Sequence, residues 1–125
     1  MDRVWGPVHA GRRVSISASE KVYRVNEEIR VDHVMEAVEP GHEIFVLGPK
    51  EVFDVYVDGE LHGESYPYGQ LDPFQPFEYD GRVLPSPARD ANFDITTYTF
   101  PRPGVYRIQW RPGQWRSNIL EVRVR

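Results

Sequence analysis

Eleven prolines and ten glycines fall between short apolar runs, and that punctuation narrows the folds open to this chain more than any other feature. Proline removes a backbone donor and glycine loosens the backbone, so clusters of them end secondary structure, and the runs left between them here are strand-sized. The runs also alternate. Over Arg13 to Ala18, Val14, Ile16 and Ala18 alternate with Ser15 and Ser17, the period-2 pattern of a strand with one face on a core. Val22, Tyr23 and Val25 begin a second extended piece, and Asn26 tolerates the positive φ of a turn. Glu28 to Met35 then resumes with Ile29, Val31, His33 and Met35 on one side, and Pro40-Gly41 closes it.

Ile44 to Leu47 is fully apolar and stops at Gly48-Pro49, as for a short strand covered on both faces. Val52 to Val57 leads into Asp58-Gly59, a pair suited to a type I′ turn, which needs positive φ at both positions. Such a turn fixes the register: Val57 opposite Glu60, Tyr56 opposite Leu61, Val55 opposite His62. From Ser65 to Ala91 the alternation stops. Pro67, Pro73, Pro76, Pro85 and Pro87 argue against a regular central strand or helix, so residues 65–91 are expected to form one long irregular loop. Loops of that length in compact domains are commonly functional. Phe93 to Phe100, Val105 to Trp110 and Asn118 to Val124 complete seven or eight strands, with Tyr106, Ile108 and Trp110 on one face and Leu120, Val122 and Val124 on another. The expected architecture is a single all-β domain over residues 1–125, an antiparallel β-sandwich.

Three segments carry a family resemblance: Val4-Trp5-Gly6, the run from Tyr23 to Val31, and Phe100 to Val124, which reads FPRPGVYRIQW…RSNILEVRV. They resemble the immunoglobulin-like β-sandwiches common in bacteria, including the intracellular proteinase inhibitor family, in which a Y-x-x-G-E-x-I-x-V segment precedes the second long strand. Asn26-Glu27 stands where that pattern has its Gly. Tyr106 after Pro103-Gly104 looks like the tyrosine corner of such domains, with Ile108 where antibody domains carry their second cysteine. The resemblance implies a fold and, in its inhibitor version, a rigid loop presented to another protein.

Composition excludes several functions. With no cysteine, disulfides, thiolate metal sites and cysteine nucleophiles are out of the question. The net charge is −4, and nucleic-acid affinity needs a basic face for phosphates, so no nucleic-acid partner is expected. No run approaches the roughly 18 consecutive apolar residues of a membrane span. Arg3 is followed by no apolar stretch before Gly11, so no secretory leader is read and the cytoplasm is the expected compartment, or the extracellular space for a chain already trimmed.

The candidate site residues are aromatic. Tyr66, Tyr68, Phe74, Phe77 and Tyr79 crowd the long loop among Pro and Gly, where rigid apolar bodies with polar tips could bind a partner or, equally, pin the loop to the core. Trp115 sits in a tight turn after Trp110, with Arg111 and Arg116 beside it to meet a carboxylate or stack on the indole. Asp90, Asn92 and Asp94 give the opening D-x-N-x-D of a calcium loop, but Ile95 replaces its Gly and Pro101 its bidentate Glu, and a capped loop-to-strand transition explains the same residues. Glu60, His62 and Glu64 alternate on a hairpin arm without a completing ligand. Ser65 follows His62 and Glu64, yet no nucleophile elbow or Gly-rich phosphate loop is present, so neither catalysis nor a cofactor is expected. The expected function is a non-catalytic protein-binding module acting through the aromatic loop and the Trp115 turn, in one version inhibitor-like. The alternatives are a structural or adhesive spacer of a larger protein, able to pair with a second copy through its sheet edges, and a calcium- or carbohydrate-binding module.

Overall fold

The computed structural model describes residues 3–46, 49–68, 72–74 and 81–125. Every element among them is a strand, and they number eleven where seven or eight were expected. β1 (Arg12–Ala18) pairs antiparallel with β3 (Ile29–Ala37), Val14 opposite Met35 and Ile16 opposite His33. The other side of β3 is shared end to end by β8 (Ala88–Asp90) and β9 (Thr96–Tyr98). A second sheet has the order β2 (Val22–Tyr23), β11 (Leu120–Val124), β10 (Gly104–Trp110), β5 (Val55–Val57) and β6 (Glu60–His62), in which the β2–β11 pair alone is parallel. β4 (Glu43–Val46) and β7 (Arg82–Pro85) form a two-stranded sheet.

β7 and β8 correct the reading of residues 65–91 as one unbroken loop. Proline is barred from a central strand but tolerated at strand ends and edges. Pro85 is the last residue of β7, Pro87 immediately precedes β8, and among the described residues each of these strands has one partner. The strands expected at Val52 to Val57, Phe93 to Phe100 and Asn118 to Val124 are shorter. Asp54 takes φ +60° just before β5, and its carboxylate accepts the Ser65 hydroxyl at 2.6 Å and the Tyr66 amide at 3.1 Å, so that strand begins only at Val55. The turns follow their residue types. Asn26 has φ +65°, Asp58 and Gly59 have +50° and +83°, and the hairpin register is Val57↔Glu60, Tyr56↔Leu61, Val55↔His62 as turn geometry requires.

The alternating residues meet in one core. Val14 and Ile16 from β1, Ile29, Val31 and Met35 from β3, Ile108 and Trp110 from β10, and Val122 and Val124 from β11 are buried in one cluster. Each such aliphatic side chain contributes roughly 1.5–3 kcal/mol on full burial. β1 lies against β10 and β11, so its own outer edge must be satisfied. Gly6 N donates to Val14 O, and the Asn118 side chain both accepts from Ile16 N at 2.9 Å and donates to Ile16 O at 3.1 Å. One amide therefore closes the strand edge and ties it to the segment entering β11. Gly6 is required there, since a Cβ would lie 1.6 Å from the Arg116 carbonyl oxygen. At the opposite end of β10, Tyr106 Oη donates to Arg102 O at 2.7 Å. No helix among the described residues is long and apolar enough to cross a membrane.

Candidate functional site

The aromatic residues singled out by sequence divide into two groups. Phe74 is 3% exposed and meets Phe93, Trp110 and Trp115 edge-on, with centroids 6.0, 5.9 and 5.1 Å away. Asp72 helps hold it there. One carboxylate oxygen of Asp72 accepts the Phe74 amide and the other pairs with Arg12 at 2.9 Å. Trp115 is 6% exposed, and its indole Nε1 donates to His9 O at 2.8 Å. These two rings belong to the core, so the expectation of a surface joining Phe74 and Trp115 is corrected: both are buried, and the one polar side-chain group between them, the Trp115 indole N–H, finds its partner within the fold. Tyr66 is half-buried between Phe53 and Tyr68, at 5.7 and 5.4 Å, and Tyr68 is 55% exposed. Phe77 and Tyr79 lie outside the described residues.

The polar candidates are also separated. Arg116 stays at the turn, donating to Gly113 O and Trp115 O. Asp90 is buried and pairs with the Lys50 ammonium at 2.5 Å, while its other oxygen accepts the Asn92 amide. Asn92 O and the Asp94 amide bond the two backbone groups of Lys50, so this segment is a capped bridge across which the protein supplies its own cation. No group of three His, Asp or Glu able to hold a metal occurs among the described residues, and His62 instead lies 5.0 Å from the Tyr98 ring.

His33 is the buried ionisable group of the core, edge-on to Trp110 at 5.0 Å. Burial holds its pKa down at about 4, against the opposing pull of the Asp32 charge. The Asp94 backbone faces the ring, yet neither ring nitrogen makes a well-formed hydrogen bond. On the surface nearby, burial pushes the Glu36 carboxyl up, but hydrogen bonds and charge from Arg89 and Arg13 outweigh it and hold the group below its usual range.

Arg111 leads to a different surface. β10 sends Ile108 and Trp110 inward, so Arg107, Gln109 and Arg111 face outward by the strand's two-residue period. They line an open depression of about 490 Å³ on the outer face of the five-stranded sheet, together with Tyr56, Asp58 and the exposed Ile119. Tyr56 lies under the Arg111 guanidinium, 4.2 Å from its carbon, and Arg111 Nε donates to Gln109 Oε1 at 2.8 Å. The Arg111 backbone amide donates to Asp54 O, and Asp54 also holds Ser65 and Tyr66, so the Tyr66–Tyr68 pair and the Arg111 end of β10 share one anchor. Asp58 accepts the Arg107 amide at 2.9 Å, and Arg107 reaches Glu121 at 3.3 Å with both side chains well exposed.

Tyr56, Arg107, Gln109 and Ile119 were not among the sequence candidates. The signal for them was a phase error: Val105 and Ile119 are apolar at positions opposite in phase to the inward sets of β10 and β11, and are 39% and 59% exposed. An isolated exposed apolar residue means little, whereas two beside a pocket mark a surface worth testing. Comparison with family models, with curated proteins and with solved structures finds no match to this chain.

Proposed function

We propose that this domain is a non-catalytic protein-binding module with an immunoglobulin-like β-sandwich fold, and that it engages its partner through the outer face of the five-stranded sheet. The fold reading is supported by the shared core of the two larger sheets and by the Tyr106 corner bond to Arg102. The functional reading rests on one observation: the Tyr56–Arg111 depression, bordered by the exposed Val105 and Ile119, combines a flat aromatic, guanidinium groups and apolar surface, the residue types enriched in protein interfaces. Tyr66 and Tyr68 lie on the segment tied to the same end of β10 through Asp54, outside the lining of the depression. The test compares partner capture by the wild-type chain, by Ile119→Asp, and by Tyr68→Ala, with circular dichroism to check each fold. A partner retained by the folded Tyr68→Ala chain and lost by the folded Ile119→Asp chain supports the sheet face; retention by both overturns it.

A second reading, a structural or adhesive domain of a larger protein, is favoured by the burial of Phe74 and Trp115, which turns much of the apolar content of the loop and turn toward the core. It is tested by the absence of any partner in the same capture together with self-association in sedimentation.

A further inference from the structure

The chain's buried and half-buried cations follow a pattern with one exception. Arg3 pairs with Asp32, Arg12 with Asp72, Arg13 with Glu36 and Lys50 with Asp90. Arg111 is half-buried as well, yet among the described residues it meets no carboxylate. Its Nε is taken by Gln109 and its face by Tyr56, which fixes the plane of the guanidinium, and among the described residues its terminal nitrogens make no hydrogen bond. A planar fork held by stacking and by its third nitrogen is pre-organised for two parallel hydrogen bonds to one carboxylate, because the side-chain entropy of holding it has already been lost in folding. Among the described residues the one carboxylate lining the depression is Asp58, which accepts the Arg107 backbone amide.

We propose that Arg111 is the anchor for a carboxylate side chain of the bound partner, so that this surface takes an acidic peptide whose neighbouring apolar residue rests on Ile119 and Val105. This rests on the sheet face being the binding surface. Arg107, two residues along the same outward row from Gln109, adds a second positive charge, and its exposed contact with Glu121 is weak enough to exchange for a better acceptor. Tyr56 supplies the platform and Ile119 the apolar floor, which together distinguish a peptide from a bare anion.

The experiment titrates the ¹⁵N-labelled chain with a capped pentapeptide carrying one glutamate between leucines, with the same peptide carrying glutamine, and with inorganic phosphate. The glutamate peptide is expected to shift the Arg111 Nε–H, Tyr56 and Ile119 signals and to bind about tenfold or more tightly than the glutamine peptide, since a bidentate charge-assisted pair is lost in the latter. Arg111→Lys should weaken that discrimination, because an ammonium keeps the charge but not the fork, and Arg111→Gln should remove most of it, both with the fold intact. Equal binding of the two peptides at Ile119 overturns the carboxylate anchor and leaves the sheet-face reading standing. Shifts by phosphate as strong as by the glutamate peptide replace the peptide with a simple anion site. No shift by either peptide at millimolar concentration overturns the proposal, and loss of partner capture in Ile119→Asp then still decides the sheet face independently.

Discussion

Trp110 and Arg111 are neighbours in the chain and finish on opposite sides of one sheet, and the two environments differ in kind. On the inner side Trp110 joins Phe74, Phe93 and Trp115 in an edge-to-face aromatic group, with Trp110 Nε1 on Phe53 O and Trp115 Nε1 on His9 O. On the outer side Arg111 lies on Tyr56 beside exposed Ile119, with a guanidinium whose terminal nitrogens meet no acceptor among the described residues. Aromatic and cationic residues occur in both places, so residue type alone does not distinguish a core from a surface. What distinguishes them is completeness: the inner indoles have their donors met by the fold, whereas the outer group has capacity left over.

The comparison breaks most visibly at Phe74. Truncation to alanine should cost about 3–5 kcal/mol of stability in urea denaturation, because it opens a cavity among three aromatic rings. Tyr68→Ala, at an exposed position on the same segment, should stay within about 0.5 kcal/mol. A Phe74 cost under about 1 kcal/mol would mean that the loop is not part of the core.

Legibility followed the same line. The hairpin at Asp58-Gly59, its register, the Asn26 turn and the inward faces of β3, β10 and β11 were readable, since each depends on residues close in sequence. β7 and β8 were not, because their partners β4 and β3 lie tens of residues away and proline at a strand end looks the same in sequence as proline in a loop. Trp115 was undecidable for a related reason: its hydrogen-bond acceptor is His9, at the other end of the chain. Arg111 was named as able to stack on an indole, and the ring it meets is a different one. The sequence pairs it with Trp115, whereas strand alternation and the β5–β10 register bring it to Tyr56.

His33 sharpens the description of the inner side. Its folded pKa, about 4, lies below the ordinary 6.5, so the unfolded chain takes up the proton first as pH falls. The neutral imidazole therefore contributes fully above about pH 6.5 and costs stability progressively between pH 6.5 and 4, by about 3 kcal/mol over that window. Measured as the urea midpoint against pH, this loss should disappear in His33→Leu, leaving a flatter curve over the same range. An unchanged slope in that variant would mean that the ring is solvated.

Asn118 tests how the sheets are joined. Replacement by alanine leaves Ile16 N and Ile16 O at a covered strand edge without their side-chain partner, a loss of about 1–3 kcal/mol. Hydrogen exchange at the Ile16 amide should accelerate by more than exchange at Val34, which lies in the middle of β3. Asn118→Asp keeps an acceptor for the amide and loses the donor to the carbonyl, so its stability should fall between the two.

The smallest expected effect lies on the outer side. Arg111→Ala removes a cation–π contact and one side-chain hydrogen bond at a half-exposed position, for a loss of about 0.5–1 kcal/mol. Ile119→Thr, more than half exposed, should stay within about 0.5 kcal/mol. Such tolerance means that the fold does not need these residues for its own stability, in contrast to Phe74, where the fold needs nearly every apolar atom. A loss above about 2 kcal/mol for Arg111→Ala would reverse this, since it would show the guanidinium already engaged in holding β5 to β10 and with no capacity left for a partner.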